Sequence, residues 1–321
     1  MKKKILAVAI AAIMLVTAIA SMSLAYLTDT DDAVNVMEMG KVDIVQLEYE
    51  RLLQDEDKDG IFEWVSTGET DKYGYTPDEI QPFTQDKPLY PVVCLKSLNV
   101  ADEDVMMWDD RVSGHQQSWA GVAGTKVTGA PGSNQLFDET CKNVVDKFVF
   151  VENAGKSDAY VRTIFAFEQG SLTDEEFETY IGLNRDKNPN EANGKGHWQW
   201  ENIGSVTIGN STYYVKCATY LGAGSKHGTV EEGVLAPNTI SYPSLLQVYL
   251  SRMAKNDTVE ALDGNKNGKY DILVLSQATQ TNGFVNSTNG YENATLALDT
   301  AFGDVTKATA ANWLVQVLPQ N

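Results

Sequence analysis

Two short stretches carry the side chains that point most directly to chemistry. In Asp55-Glu56-Asp57-Lys58-Asp59-Gly60-Ile61-Phe62-Glu63, carboxylates alternate with other residues and a glycine follows them. This spacing places Asp55, Asp57 and Asp59 on one side of a tight turn that Gly60 permits. The Ile61 carbonyl and Glu63 extend the set toward the six to eight oxygens that a hard calcium ion takes. The second stretch, Asp263-Gly264-Asn265-Lys266-Asn267-Gly268-Lys269-Tyr270-Asp271, repeats the spacing with softer ligands: Asp263, Asn265, Asn267, the Lys269 carbonyl and Asp271. Both depart from a helix-loop-helix calcium loop at its twelfth position, where Ser66 and Val274 replace the bidentate glutamate, and the flanks of the first read as strands. The same residue types also build metal-free hairpin turns through Asx side chains and glycine. Three acids so close together repel one another unless a cation is present, which favours the metal in the first loop. Calcium held in either place would be structural, because no catalytic group adjoins the loops.

Other chemistry finds little material. His115, His197 and His227 are isolated, and the sequence contains no His-Glu-x-x-His, no Gly-x-Ser-x-Gly and no glycine-rich phosphate motif. The expectation is therefore a non-enzymatic protein. His197 stands beside Trp198 and Trp200, which could line a carbohydrate-binding surface; the preferred reading packs these rings onto the body of the protein. Cys94, Cys141 and Cys217 lie in strand-like segments and are read as buried thiols, with pairing of two of them outside the cell as the alternative.

Composition bounds the rest. The chain has 321 residues, 43% of them hydrophobic and 21% charged, which is globular rather than disordered. With 44 acidic and 25 basic residues the net charge is −19, so nucleic acid is not an expected partner. Lys2, Lys3 and Lys4 precede an almost purely apolar run, Ile5 to Ala20, and Ser23-Leu24-Ala25 supplies small residues at a cleavage site. This is the layout of a secretory signal peptide over residues 1–25, cut between Ala25 and Tyr26.

The elements that would position these groups are mostly strands. Val34, Val36, Val42 and Ile44 head an alternating segment that reads as one or two strands, and a freed end of this kind can complete the open edge of a neighbouring sheet. Residues 143–168 carry the strongest strand signal, two β-rich runs about the turn Asn153-Ala154-Gly155-Lys156, forming a hairpin or neighbouring sandwich strands. Ser171 to Ile181 changes to helical spacing behind Thr173 and three acids. Further strands are expected at 206–208, 212–221 and 245–250; 272–279 reads as strand or helix, 296–302 as a short helix or extended segment, and 313–318 as a final strand. The predicted fold class is mainly β: a jelly-roll-like antiparallel β-sandwich with long loops and one or two short helices in insertions. It forms a single domain over 26–321 with an insertion at about 169–204.

Two sets of residues carry a family resemblance. Ala25-Tyr26-Leu27-Thr28-Asp29-Thr30-Asp31 leads through Asn35 to Gly40-Lys41-Val42-Asp43-Ile44, and later Asn153, Gly155, Ala159, Tyr160, Val161 and Arg162 form an N-x-G…A-Y-V-R strand-turn-strand. Together with Gly233 to Pro237 and Leu246-Gln247-Val248, these resemble the TasA/camelysin family of Gram-positive bacteria, whose members leave the cell through the dedicated signal peptidase SipW. Leu27 stands where that pattern usually has Phe. The resemblance implies a jelly-roll sandwich, secretion to the extracellular matrix or cell surface, and self-association with other copies or related matrix subunits into biofilm-type fibres. It does not bring a protease site: camelysin has been described as a metalloprotease, and the zinc helix motif is missing here. A calcium-stabilised adhesin or carbohydrate-binding module acting on cell-wall glycans is the alternative expectation.

Overall fold

The structure is a computed structural model and describes residues 28–31, 42–54, 63–64, 79–84, 89–94, 116–118, 135–137, 141–185, 197–222, 233–284 and 290–318. The segment densest in β-branched and aromatic side chains becomes β12 (Ala159–Glu168), and every residue in it is buried. Its place is central in the largest sheet, whose order is β1 (Thr28–Asp31), β19 (Ile272–Gln280), β12, β15 (Ser211–Tyr220) and β14 (Trp198–Ile208), with β16 (Val234–Leu235) also paired to β12. All these pairings are antiparallel. Burial on both faces explains a nearly continuous apolar run in place of alternation. Val161, Phe165 and Phe167 enter one core, while Ile164 and Ala166 enter another on the opposite face.

The first core is closed by a second layer made of two sheets. One has the order β17 (Thr239–Ile240), β11 (Phe148–Asn153), β2 (Ile44–Arg51) and β5 (Ile80–Pro82); the other is β10 (Val144–Asp146), β18 (Leu245–Leu250) and β13 (Ile181–Arg185). Val149, Val151, Leu245, Val248 and Leu250 supply its inner side chains. Each fully buried side chain of this size contributes about 1.5–3 kcal/mol. A buried polar chain joins the two sheets: Arg51 donates to Asp146 through Nε at 2.6 Å and Nη2 at 3.0 Å, Gln247 donates to Asp146 at 2.7 Å, and Asn184 donates to Gln247 at 2.9 Å. Three two-strand ladders complete the strands: β3 (Leu53–Gln54) with β4 (Glu63–Trp64), β6 (Val93–Cys94) with β9 (Cys141–Lys142), and β7 (Gln116–Ser118) with β8 (Gln135–Phe137).

The expected antiparallel β-sandwich with few short helices is the fold observed. Residues 143–168 resolve as neighbouring sandwich strands, because β11 and β12 belong to different sheets. The predicted helix is α1 (Asp174–Tyr180): Thr173 accepts from the Glu176 amide at 3.2 Å, and Glu176 accepts from the Thr173 amide at 2.9 Å. A second helix, α2 (Asn256–Leu262), precedes the second candidate calcium loop. Residues 272–279 are strand, within β19.

Within the span of the expected insertion, Trp198 to Gly204 forms the first half of β14. One reading changes. The expected final strand at 313–318 is instead the end of a helix. After α3 (Gly290–Phe302) comes α4 (Lys307–Leu314), followed by a short 3₁₀ turn at Val315–Val317. The aromatic and β-branched residues Trp313, Val315 and Val317 suggest a strand, but Thr306 and Thr309 cap a helix whose Ala310 and Leu314 fall on one face and pack on the outer side of the main sheet. Burial of that face outweighs strand propensity.

Candidate functional site

The first feature is an edge. Thr28 to Asp31 pairs with β19 in the register Thr28 with Thr279, Asp29 with Ala278, Thr30 with Gln277 and Asp31 with Ser276. β1 is thus a short polar strand covering one side of a strand that is otherwise almost wholly buried. The ladder bonds are its documented attachment to that strand. A backbone hydrogen bond contributes about 0.5–1.5 kcal/mol net, and ordering each residue costs roughly 1–2 kcal/mol. The other members of the candidate assembly strand are distributed differently. Val34 and Val36 lie outside the described residues. Val42 and Ile44 are 7% and 2% exposed, and Ile44 pairs with Asn153 within its own sandwich.

Behind the edge stand the residues of the strand-turn-strand motif. Asn153 builds the turn: its Nδ2 donates to the carbonyls of Ser157 at 2.8 Å and Leu235 at 2.9 Å, and its Oδ1 accepts from the Gly155 amide at 3.0 Å. Ala159 and Tyr160 pair with β16 on one side and β19 on the other. Arg162 is a buried clamp. It donates to Gln277 on β19 at 2.8 Å, to Asp299 on α3 at 2.7 Å and to the Gly303 carbonyl at 3.0 Å, and it lies over the Trp313 ring. Burial raises the Asp299 carboxyl above its ordinary range, and the guanidinium opposes that shift. Gln277 is also the partner of Thr30, so one rung runs from the N-terminal strand through β19 to Arg162 and the covering helix.

The second feature is the loop from Asp263 to Asp271. Asp263 accepts from the amides of Asn267 at 3.0 Å and Gly268 at 2.9 Å, while Asn265 and Asn267 accept from the amides of Asn267 and Lys269. The side-chain amides of Asn265 and Asn267 converge on Asp271 at 2.7 and 3.1 Å. Two carboxylates and two amides are therefore gathered in one small turn, presently satisfying its own backbone in the Asx manner. Among the described residues, no three of His, Cys, Asp or Glu cluster as a metal-binding set.

This loop rests on a buried carboxylate that its spacing does not reveal. Glu168, at the end of β12, accepts from the amides of Gly264 at 3.0 Å, Asn265 at 3.2 Å and Asp271 at 3.2 Å, and from the Ser211 hydroxyl at 2.8 Å. Burial raises its pKa, the hydrogen bonds pull it down, and the nearby Asp271 charge pushes it up. Close approach explains one glycine: a Cβ on Gly264 would lie 2.2 Å from Ser211 Oγ. The adjoining Gly268 has φ 73°, which the bend requires. An acid ending a β-rich run was the signal available for Glu168, but its partners are 43 to 103 residues distant.

The remaining candidates are placed as follows. Ala25, Tyr26, Asp55, Asp57, Asp59, Ile61, His115 and His227 lie outside the described residues. Glu63 opens β4 opposite Gln54, so the first acidic stretch connects two paired strands as its flanks suggested. Trp198 and Trp200 are 0% and 9% exposed; Trp198 donates to the Tyr242 carbonyl at 2.9 Å, and His197 stacks on the Tyr242 ring. These rings pack the interior, as preferred, and present no face to a glycan. Beside the loop, a cavity of about 890 Å³ is lined by Val145, Val248, Leu250, Tyr270 and Asp271, with the Lys147–Glu48 ion pair in its wall.

No family model matches the chain, and neither the curated proteins nor the solved structures contain a match.

Proposed function

We propose that this chain is a secreted, non-enzymatic structural protein of the extracellular matrix or cell surface, similar to TasA-type proteins, and that it joins other copies or related subunits by strand complementation. The observation that carries this reading is the seat of Thr28–Asp31: a short polar strand close behind the expected cut at Ala25 and Tyr26, paired along the edge of β19. Processing by a signal peptidase of the SipW type would free that segment. The same ladder made to the β19 of a neighbour would then link copies head to tail. Calcium bound by Asp263, Asn265, Asn267, the Lys269 carbonyl and Asp271, and by the acidic stretch from Asp55 to Glu63, would stiffen the subunit without chemistry of its own. Electron microscopy of processed protein tests the reading. Fibres are expected from the chain beginning at Tyr26, and a chain beginning at Asp32 should remain unassembled and cap growing ends. Equal fibre growth by both chains overturns it.

A calcium-stabilised adhesin for cell-wall glycans is the second reading, favoured by the cavity beside Tyr270 and Asp271. Glycan binding that persists in the chain beginning at Asp32, with no fibres from either chain, would replace the first reading with this one.

A further inference from the structure

The two cysteines on β6 and β9 occupy one rung. In that ladder Val93 opposes Lys142 and Cys94 opposes Cys141. Directly opposed residues of an antiparallel pair share a face, with Cα atoms about 4.5 Å apart at a non-hydrogen-bonded rung and about 5.5 Å at a hydrogen-bonded one. A disulfide needs roughly 4.4–6.8 Å between Cα atoms, so either kind of rung satisfies it.

The register does not depend on the cysteines themselves. Ahead of Cys94, the Val92 amide donates to the Leu250 carbonyl at 2.8 Å, and Pro91 forms a bridge with Leu250. Following Cys141, Val144 pairs with Tyr249 on the same strand, β18. Asn143, with φ 67°, then ties the two sides together by donating its Nδ2 to the Pro91 carbonyl at 2.8 Å. Both strands are thus pinned to neighbouring residues of β18 within three positions of the cysteines. A slip of one residue would break those anchors. Cys217 is a different case. It lies in β15 between Ile164 and Glu201, is 4% exposed, and burial pushes its thiol up to about 12. It is a free, inert thiol inside the main sheet, on a strand that belongs to neither β6 nor β9.

We infer that Cys94 and Cys141 form a cross-strand disulfide in the exported protein. This rests on the proposed secretion for its oxidising compartment. The oxidant is a low-molecular-weight or protein disulfide. One cysteine thiolate attacks it, breaking its S–S bond and releasing a thiolate. The second cysteine then attacks the protein sulfur of the mixed disulfide and releases the other thiolate. The chain loses two protons and two electrons, and the oxidant leaves as two thiols. The bridge would join β6 to β9 covalently at the rung where Cys94 opposes Cys141.

The full chain, purified and equilibrated in a glutathione redox buffer, tests the pairing without reference to export. Alkylation after unfolding should label one thiol before reduction and three after it, and peptide mapping should join Cys94 to Cys141. Cys217→Ala should remove the single unreduced label and retain the bridge. Cys94→Ser should lower Tm by on the order of 10 °C under oxidising conditions and not under reducing ones. Three labelled thiols in the redox-buffered chain, or a bridge that includes Cys217, overturns the inference. Recovery of the native protein only from inside the cell overturns secretion instead, leaving the redox-buffered measurement to decide the geometry.

Discussion

The two edges of the main sheet are closed in opposite ways. β14 runs for eleven residues, and its ladder shifts register between Asn202 and Gly204, where Gly204 has φ 93°. Ser205 donates to Asp174 at the start of α1, a Cβ on Gly204 would meet Lys307 at the start of α4, and Tyr291 of α3 donates to Glu201. A kink and flanking helices thus make that edge a poor template for another strand. Among the described residues, the opposite edge is covered by the four-residue β1, paired along the buried β19. One edge is blocked by the fold, the other is covered by a short strand. Under the proposed assembly that strand passes to a neighbouring copy, and the difference would give a subunit one growing direction.

The largest expected effect follows directly. A chain beginning at Asp32 should lose fibre formation altogether, while Glu201→Thr, which removes a charge at the blocked edge, should leave fibre length unchanged in electron micrographs. If the second change alters assembly as much as the first, the contrast between the edges fails.

Next in size is the clamp behind the edge that β1 covers. Arg162→Ala should destabilise the fold by about 3 kcal/mol in urea unfolding, since Asp299 and Gln277 lose a buried partner. Arg162→Lys should recover little, because one ammonium cannot serve three acceptors spread around a planar guanidinium. A loss below about 1 kcal/mol would mean that β19 is positioned by other contacts.

Calcium should act on the body and not on the edge. Saturating calcium is expected to stabilise the subunit by roughly 2–3 kcal/mol at about a hundredfold excess over its dissociation constant. Asp263→Ala should remove the share belonging to the second loop, and Asp57→Ala that of the first. Thermal melts with and without chelator measure both, and unchanged melts in the unsubstituted chain would remove the metal from both loops.

The smallest effect concerns Glu168. Its pKa is raised in the fold, so its stabilising contribution is complete below the ordinary glutamate value and is lost as pH rises through the folded value. With chelator present, stability should therefore decline across that window in the native chain, whereas Glu168→Gln should lack this component. Identical pH slopes for the two chains would show that the seat of the loop does not titrate.

Much of this architecture was legible locally. The run from Ala159 to Phe167 has the β-branched and aromatic density of a central strand, and Thr173 with Glu176 announces the first turn of α1. The Trp198 and Trp200 rings were correctly read as interior. The C-terminal residues were not legible: Trp313 to Leu318 is an apolar run with Trp313, Val315 and Val317 of high strand propensity, and the face offered by the main sheet makes helix the better burial. Glu168 was missed because its four donors come from Ser211 and from a loop far along the chain.

The amino-acid order by itself determined the β class, the turn at Asn153, the cap of α1 and the spacing of both acidic loops, because each depends on neighbours within a few positions. The tertiary structure alone decided that Thr28–Asp31 lies along β19, that Arg162 clamps that strand to α3, and that Cys94 opposes Cys141 while Cys217 stands apart. Those are matters of register between segments distant in sequence, and register is set by which faces find burial together.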